Sequence, residues 1–120
     1  MANIHMIIGS LVLLAFLLSA ILNLLALFTR REYSWQRGVS FGAATLLLLQ
    51  YMLGFSLLGS GNSVTSAHFL VALLALVPVG FEHGYASTRD NPKQRALFGA
   101  IANIAAFVLV LIAYLIGQSN

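Results

Sequence analysis

Two histidines stand near the start of separate apolar runs, His5 in MANIHMIIGSLVLLAF and His68 in GSGNSVTSAHFLVALLAL. Each is followed four residues later by a small residue, Gly9 and Ala72. In a helix that spacing places the small residue one turn further along the same face. Neutral imidazole ligates haem iron and other transition metals. Two imidazoles at one depth on different helices, each above a missing or minimal side chain, would bracket a slot for one flat ligand. A histidine within a turn of a membrane surface can also snorkel to water or bond a neighbouring carbonyl. The matched depth and the matched small residues favour a shared ligation axis.

The third imidazole is different. His83 follows Glu82 in GFEHGYAS, roughly 22 Å from His68 along a helix axis, so it cannot join the same site. A proton relay or a quinone contact is one reading of Glu82 and His83. Solvated side chains at an interface are the plainer one.

What must position these residues follows from composition. Of 120 residues 60% are hydrophobic and 8% charged, a balance that belongs to integral membrane proteins rather than to soluble domains. Four apolar runs, about 5–28, 39–59, 66–86 and 96–117, reach the roughly 20 residues that a helix needs to cross a hydrocarbon core. Backbone polar groups in lipid must bond within their own segment, so four such runs predict four helices. Short connections predict an all-α, antiparallel up-down-up-down transmembrane bundle in a single domain, 1–120. Gly42 and Ala43, and Gly99, Ala102, Asn103 and Ala106, are expected to pack helices closely, and Pro78 is expected to kink the third. Asn23, Gln50, Tyr51, Ser56 and Asn103 are expected to form interhelical hydrogen bonds.

Every Lys and Arg (Arg30, Arg31, Arg37, Arg89, Lys93, Arg95) falls in the first or third connection. Positively charged loops favour the cytoplasmic side. Loops 29–38 and 87–95 are therefore expected inside a bacterial or archaeal plasma membrane, with both termini outside and the first run retained rather than cleaved. Tyr33, Trp35 and Tyr85 would form the inner aromatic belt. The net charge of +3 rests on nine charged residues and gives no reason to expect nucleic acid. With no cysteine, disulfides, thiolate metal sites and thioether-linked haem are excluded. No Ser/His/Asp set, carboxylate pair or phosphate-cradling glycine loop is present. No acid lies deep in a span, which disfavours a proton-coupled transporter.

The segments His5-Met6-Ile7-Ile8-Gly9, Leu49-Gln50-Tyr51-Met52-Leu53-Gly54 and Gly59-Ser60-Gly61 ahead of His68 resemble one half of the haem A synthase family. Members have two four-helix halves, each with a histidine near the outer end of its first and third helices. The resemblance covers nearly all of this chain but half of a full-length member. It implies one b-type haem with His5 and His68 as the axial pair, and a homodimer would restore the eight-helix arrangement. The family's substrate-oxidising half carries a glutamate three residues before its first histidine and an arginine just after it. Here those positions are Ala2 and Met6, and the family's outer cysteine pair is absent. The resemblance therefore implies haem binding or electron transfer rather than methyl-group oxidation. With no Lys or Arg on the outer side, haem propionates would rely on water, Asn3, Asn62, Ser63, Thr65, Ser66 or helix-start N–H groups. The sequence equally admits an accessory subunit of a respiratory or photosynthetic complex without a cofactor of its own, or a pigment- or quinone-binding subunit.

Overall fold

The computed structural model describes residues 1–119. Four of its helical segments are long and apolar enough to cross a membrane: Ala2–Thr29, Gln36–Gly59, Ser66–Thr88 and Pro92–Gln118. Helix α1 is Ala2–Thr29, α2 is Gln36–Gly59, α3 is Ser66–Leu74, α4 is Leu76–Gly84 and α5 is Pro92–Gln118, with a short 3-10 turn at Ala86–Thr88 before α5. The expected spans fall on these helices, which begin up to four residues earlier because the connections contribute first turns. The third span is split. Pro78 has no N–H to give the Leu74 carbonyl and its ring crowds that oxygen, so α3 and α4 meet at Ala75, whose N–H turns back to Ala72 O at 3.2 Å.

Local chemistry marks the ends. Thr65 accepts from the His68 N–H as the cap of α3, and Asn91 accepts from the Lys93 N–H with Pro92 opening α5, the arrangement that satisfies first-turn N–H groups. The 60–65 turn reverses the chain through Gly61 at φ 88°, a left-handed conformation that glycine adopts without penalty. Arg30 closes α1 in the same region, at φ 57°.

Successive spans run in opposite directions, α3 and α4 together forming the third, along a body of 48 × 20 × 20 Å. The starts of α1 and α3 and the ends of α2 and α5 meet at one end, the histidine end, and the basic connections lie at the other. The core is built from Val12, Phe16, Ala43, Leu47, Ala75, Ala106 and Val110. Small side chains bring α1 and α5 close. A Cβ on Gly99 would overlap the Asn23 side chain, and Ala102, Asn103 and Ala106 are all buried beside it. Gly42 departs from the expectation. A Cβ there would meet nothing within 4 Å, so it faces outward while its neighbour Ala43 is buried. The large exposed side chains, such as Ile7, Leu14, Leu48, Met52 and Leu70, ring the bundle with the apolar surface that a lipid-facing exterior requires.

Candidate functional site

The two early histidines converge. The His5 and His68 rings, from the first turns of α1 and α3, lie with centroids 6.4 Å apart and planes at 61°. Both line a cavity of about 290 Å³ at the histidine end, as do Gly9 and Ala72. Its walls are mostly apolar, with Gln50, Tyr51, Tyr114, Asn62 and Ser63 as polar members, and none of its lining residues is charged. Among the described residues no group of three His, Asp or Glu side chains could hold a metal ion through protein ligands alone.

Each imidazole is oriented by a neighbouring helix. His68 Nδ1 is 2.7 Å from the Ala113 carbonyl oxygen. A carbonyl only accepts, so Nδ1 carries the proton and Nε2 keeps its lone pair. His5 Nε2 lies 3.3 Å from the Gln50 side-chain nitrogen. The amide donates to the ring, or, turned over, accepts from it through its oxygen. In either case the other ring nitrogen, Nδ1, is buried with no hydrogen-bond partner.

Gly9 lines the cavity, and two further glycines lie closer to the rings. The Gly9 face is filled: a Cβ there would come 3.0 Å from Gln50 Nε2 and 3.4 Å from Tyr114 Cδ2, so Gly9 gives room to the Gln50 amide that reaches His5. Ala72 lines the cavity and its carbonyl accepts from Tyr51 Oη at 2.5 Å. Gly54 and Gly117 stand directly against the imidazoles. A Cβ on Gly54 would be 3.3 Å from His5 Cε1, and one on Gly117 would be 3.0 Å from His68 Cε1. The sequence carried a signal for both, because Gln50 and Gly54, like Ala113 and Gly117, are four apart and so share a helix face.

The other polar residues of the four candidate spans divide. Asn23 accepts from Gln36 Nε2 at 3.0 Å, Gln50 reaches His5, and Tyr51 reaches Ala72, so these three connect helices. Asn103 bonds the Gly99 carbonyl of its own helix instead, and Ser56 is exposed.

Glu82 is the larger surprise. It is only 7% exposed, not the solvated interfacial side chain that its place in the sequence favours. Ser40 of α2 donates a hydrogen bond to its Oε1. A second cavity, of about 340 Å³, opens here at the basic end. Against protein-family models, curated proteins and solved structures, the chain matches none. The likeness to the haem A synthase family therefore rests on the quoted motifs alone.

Proposed function

We propose that this chain is an integral membrane protein that holds one b-type haem between His5 and His68, serving electron transfer or haem handling. The observation that carries the reading is the 6.4 Å separation of the two imidazole centroids. An iron held by one nitrogen of each ring at about 2 Å would need the ring centroids about 6 Å apart. The donors fit as well. His68 offers Nε2 with its other nitrogen committed to Ala113, the backbone contact that fixes a ligating imidazole in metal sites. His5 brings a buried ring nitrogen that no protein group satisfies. Gly54 and Gly117 let α2 and α5 pack directly against the two rings without a side chain between them.

A haem so ligated supplies one-electron chemistry at its iron. The chain's part is to present two neutral imidazoles, to hold His68 in one tautomer, and to line the site with the apolar side chains of Leu47, Phe55, Phe69 and Val110. Asn62, Ser63 and Gln118 line the cavity and are the polar groups available to propionates. Ala2 and Met6 line it too, and neither exchanges a proton, which supports binding over substrate oxidation.

The test is a visible spectrum of the gently purified protein, oxidised and dithionite-reduced, with His5→Ala and His68→Ala beside it. Narrow reduced α and β bands that disappear in either variant are expected. A protein that stays colourless when haem is supplied, or variants that both keep a full complement of haem, would overturn the assignment.

A further inference from the structure

The cavity at the basic end lies far from the histidine pair and is different in kind. Its walls include Asn23, Gln36, Arg37, Ser40, Glu82 and His83. We propose that Glu82 is a proton-binding site that exchanges with the aqueous phase at the basic end through this cavity.

Glu82 is buried by its neighbours yet lines the cavity, so the cavity is its route to water. No cation is committed to it. Arg95 of α5 bonds Glu32 and the Arg89 and Asp90 carbonyls, and the one ion pair among the described residues is Arg95 with Glu32. The Arg37 guanidinium of α2 lies over the Phe41 ring, 5.5 Å from its centroid. The hydrogen bond to Glu82 comes from a neutral hydroxyl, Ser40. An ionised carboxylate in such a place carries the cost of an unpaired buried charge, whereas the neutral carboxyl does not. A carboxyl inside a transmembrane bundle that faces a polar cavity is the arrangement found in proton relays.

His83, next along α4, lines the same cavity. Its ring lies against Phe41 with centroids 4.9 Å apart, and its Nε2 is buried without a partner. The remaining titratable groups of the cavity wall are Arg95 of α5 and, from the connection before α2, Glu32 and Tyr33. The step is one proton added to one carboxylate oxygen, and no electron moves. It leads no further: the Ala43, Leu47, Phe16 and Val12 core separates this cavity from the histidine end, so the site binds and releases a proton from one side without conducting it.

The chain's acidic side chains are Glu32, Glu82 and Asp90, which makes the test direct. The full chain in phosphatidylcholine nanodiscs is treated with dicyclohexylcarbodiimide, which attacks protonated carboxyls in apolar surroundings, and the adducts are mapped by mass spectrometry across a pH series. Glu82 should be labelled in preference to Glu32 and Asp90, with a yield that falls about tenfold per pH unit above its midpoint as the protonated fraction falls. Ser40→Ala, which removes the hydroxyl bonded to the carboxyl, should change the pH range over which Glu82 is labelled. Infrared spectra give the second measurement: a protonated-carboxyl band in the wild type that is missing from Glu82→Gln. Glu82 labelled no more than Glu32, a labelling range unmoved in Ser40→Ala, or no infrared difference would each overturn the proposal. None of these readouts depends on haem.

Discussion

Gly117→Ala should loosen His68 and weaken whatever the histidine pair binds. The added methyl would stand 3.0 Å from His68 Cε1 and 3.1 Å from Nδ1, where ordinary carbon contacts settle at about 3.5–4.0 Å. The ring must retreat by roughly 0.5 Å or more, and the 2.7 Å bond from Nδ1 to the Ala113 carbonyl is the contact that stretches. Overpacking in a well-filled site costs about 1–3 kcal/mol and a weakened hydrogen bond about 1 kcal/mol. Gly117 lies at the last turn of α5, where the backbone yields, so a net cost of about 1–2 kcal/mol is expected. If the pair holds haem as proposed, the same amount lost from binding would weaken haem affinity about 5- to 30-fold. Two other glycines calibrate the effect. At Gly54 the nearest ring atoms would be 3.3 and 4.0 Å away, and at Gly42 nothing lies within 4 Å. Alanine gains up to about 1 kcal/mol over glycine in a helix interior, so Gly42→Ala should stabilise, Gly54→Ala should be near neutral and Gly117→Ala should destabilise. Thermal unfolding in mild detergent followed by circular dichroism, with haem titration of each variant, reads both quantities. A Gly117→Ala protein as stable as Gly42→Ala that binds haem like the wild type would refute the reasoning.

Gly99→Ala should lower the unfolding temperature through a cost of about 2 kcal/mol, because the new Cβ overlaps Asn23 and breaks its bond to Gln36 where α1 and α5 are closest. Arg30→Gly should raise stability by about 1 kcal/mol, since a side chain at φ 57° carries a strain that glycine lacks; an unchanged melting curve would count against that strain. Arg95→Ala should cost more than Glu32→Ala, about 1–2 kcal/mol against less than about 1, because Arg95 also donates to the Arg89 and Asp90 carbonyls that shape the turn before α5. Equal losses in the two variants, measured by chemical unfolding in detergent, would reduce Arg95 to a surface ion pair.

The four spans and their approximate lengths follow from local sequence. Runs without charge, long enough to satisfy their own backbone, leave little choice, and Asn91-Pro92, Gly61 and Pro78 fix where particular helices begin, turn or break through local bonding alone. The sequence also brought His5 and His68 to one depth, because that depends only on where each helix starts. Tertiary structure decided everything that depends on how each helix is rotated about its axis, which an apolar run leaves open when most of its faces are equally greasy. That rotation filled the face of Gly9 with Gln50 and Tyr114, set Gly54 and Gly117 against the imidazoles and turned Gly42 outward. It also buried Glu82 against Ser40, two residues from the end of its helix, where position in the sequence alone places a side chain in water.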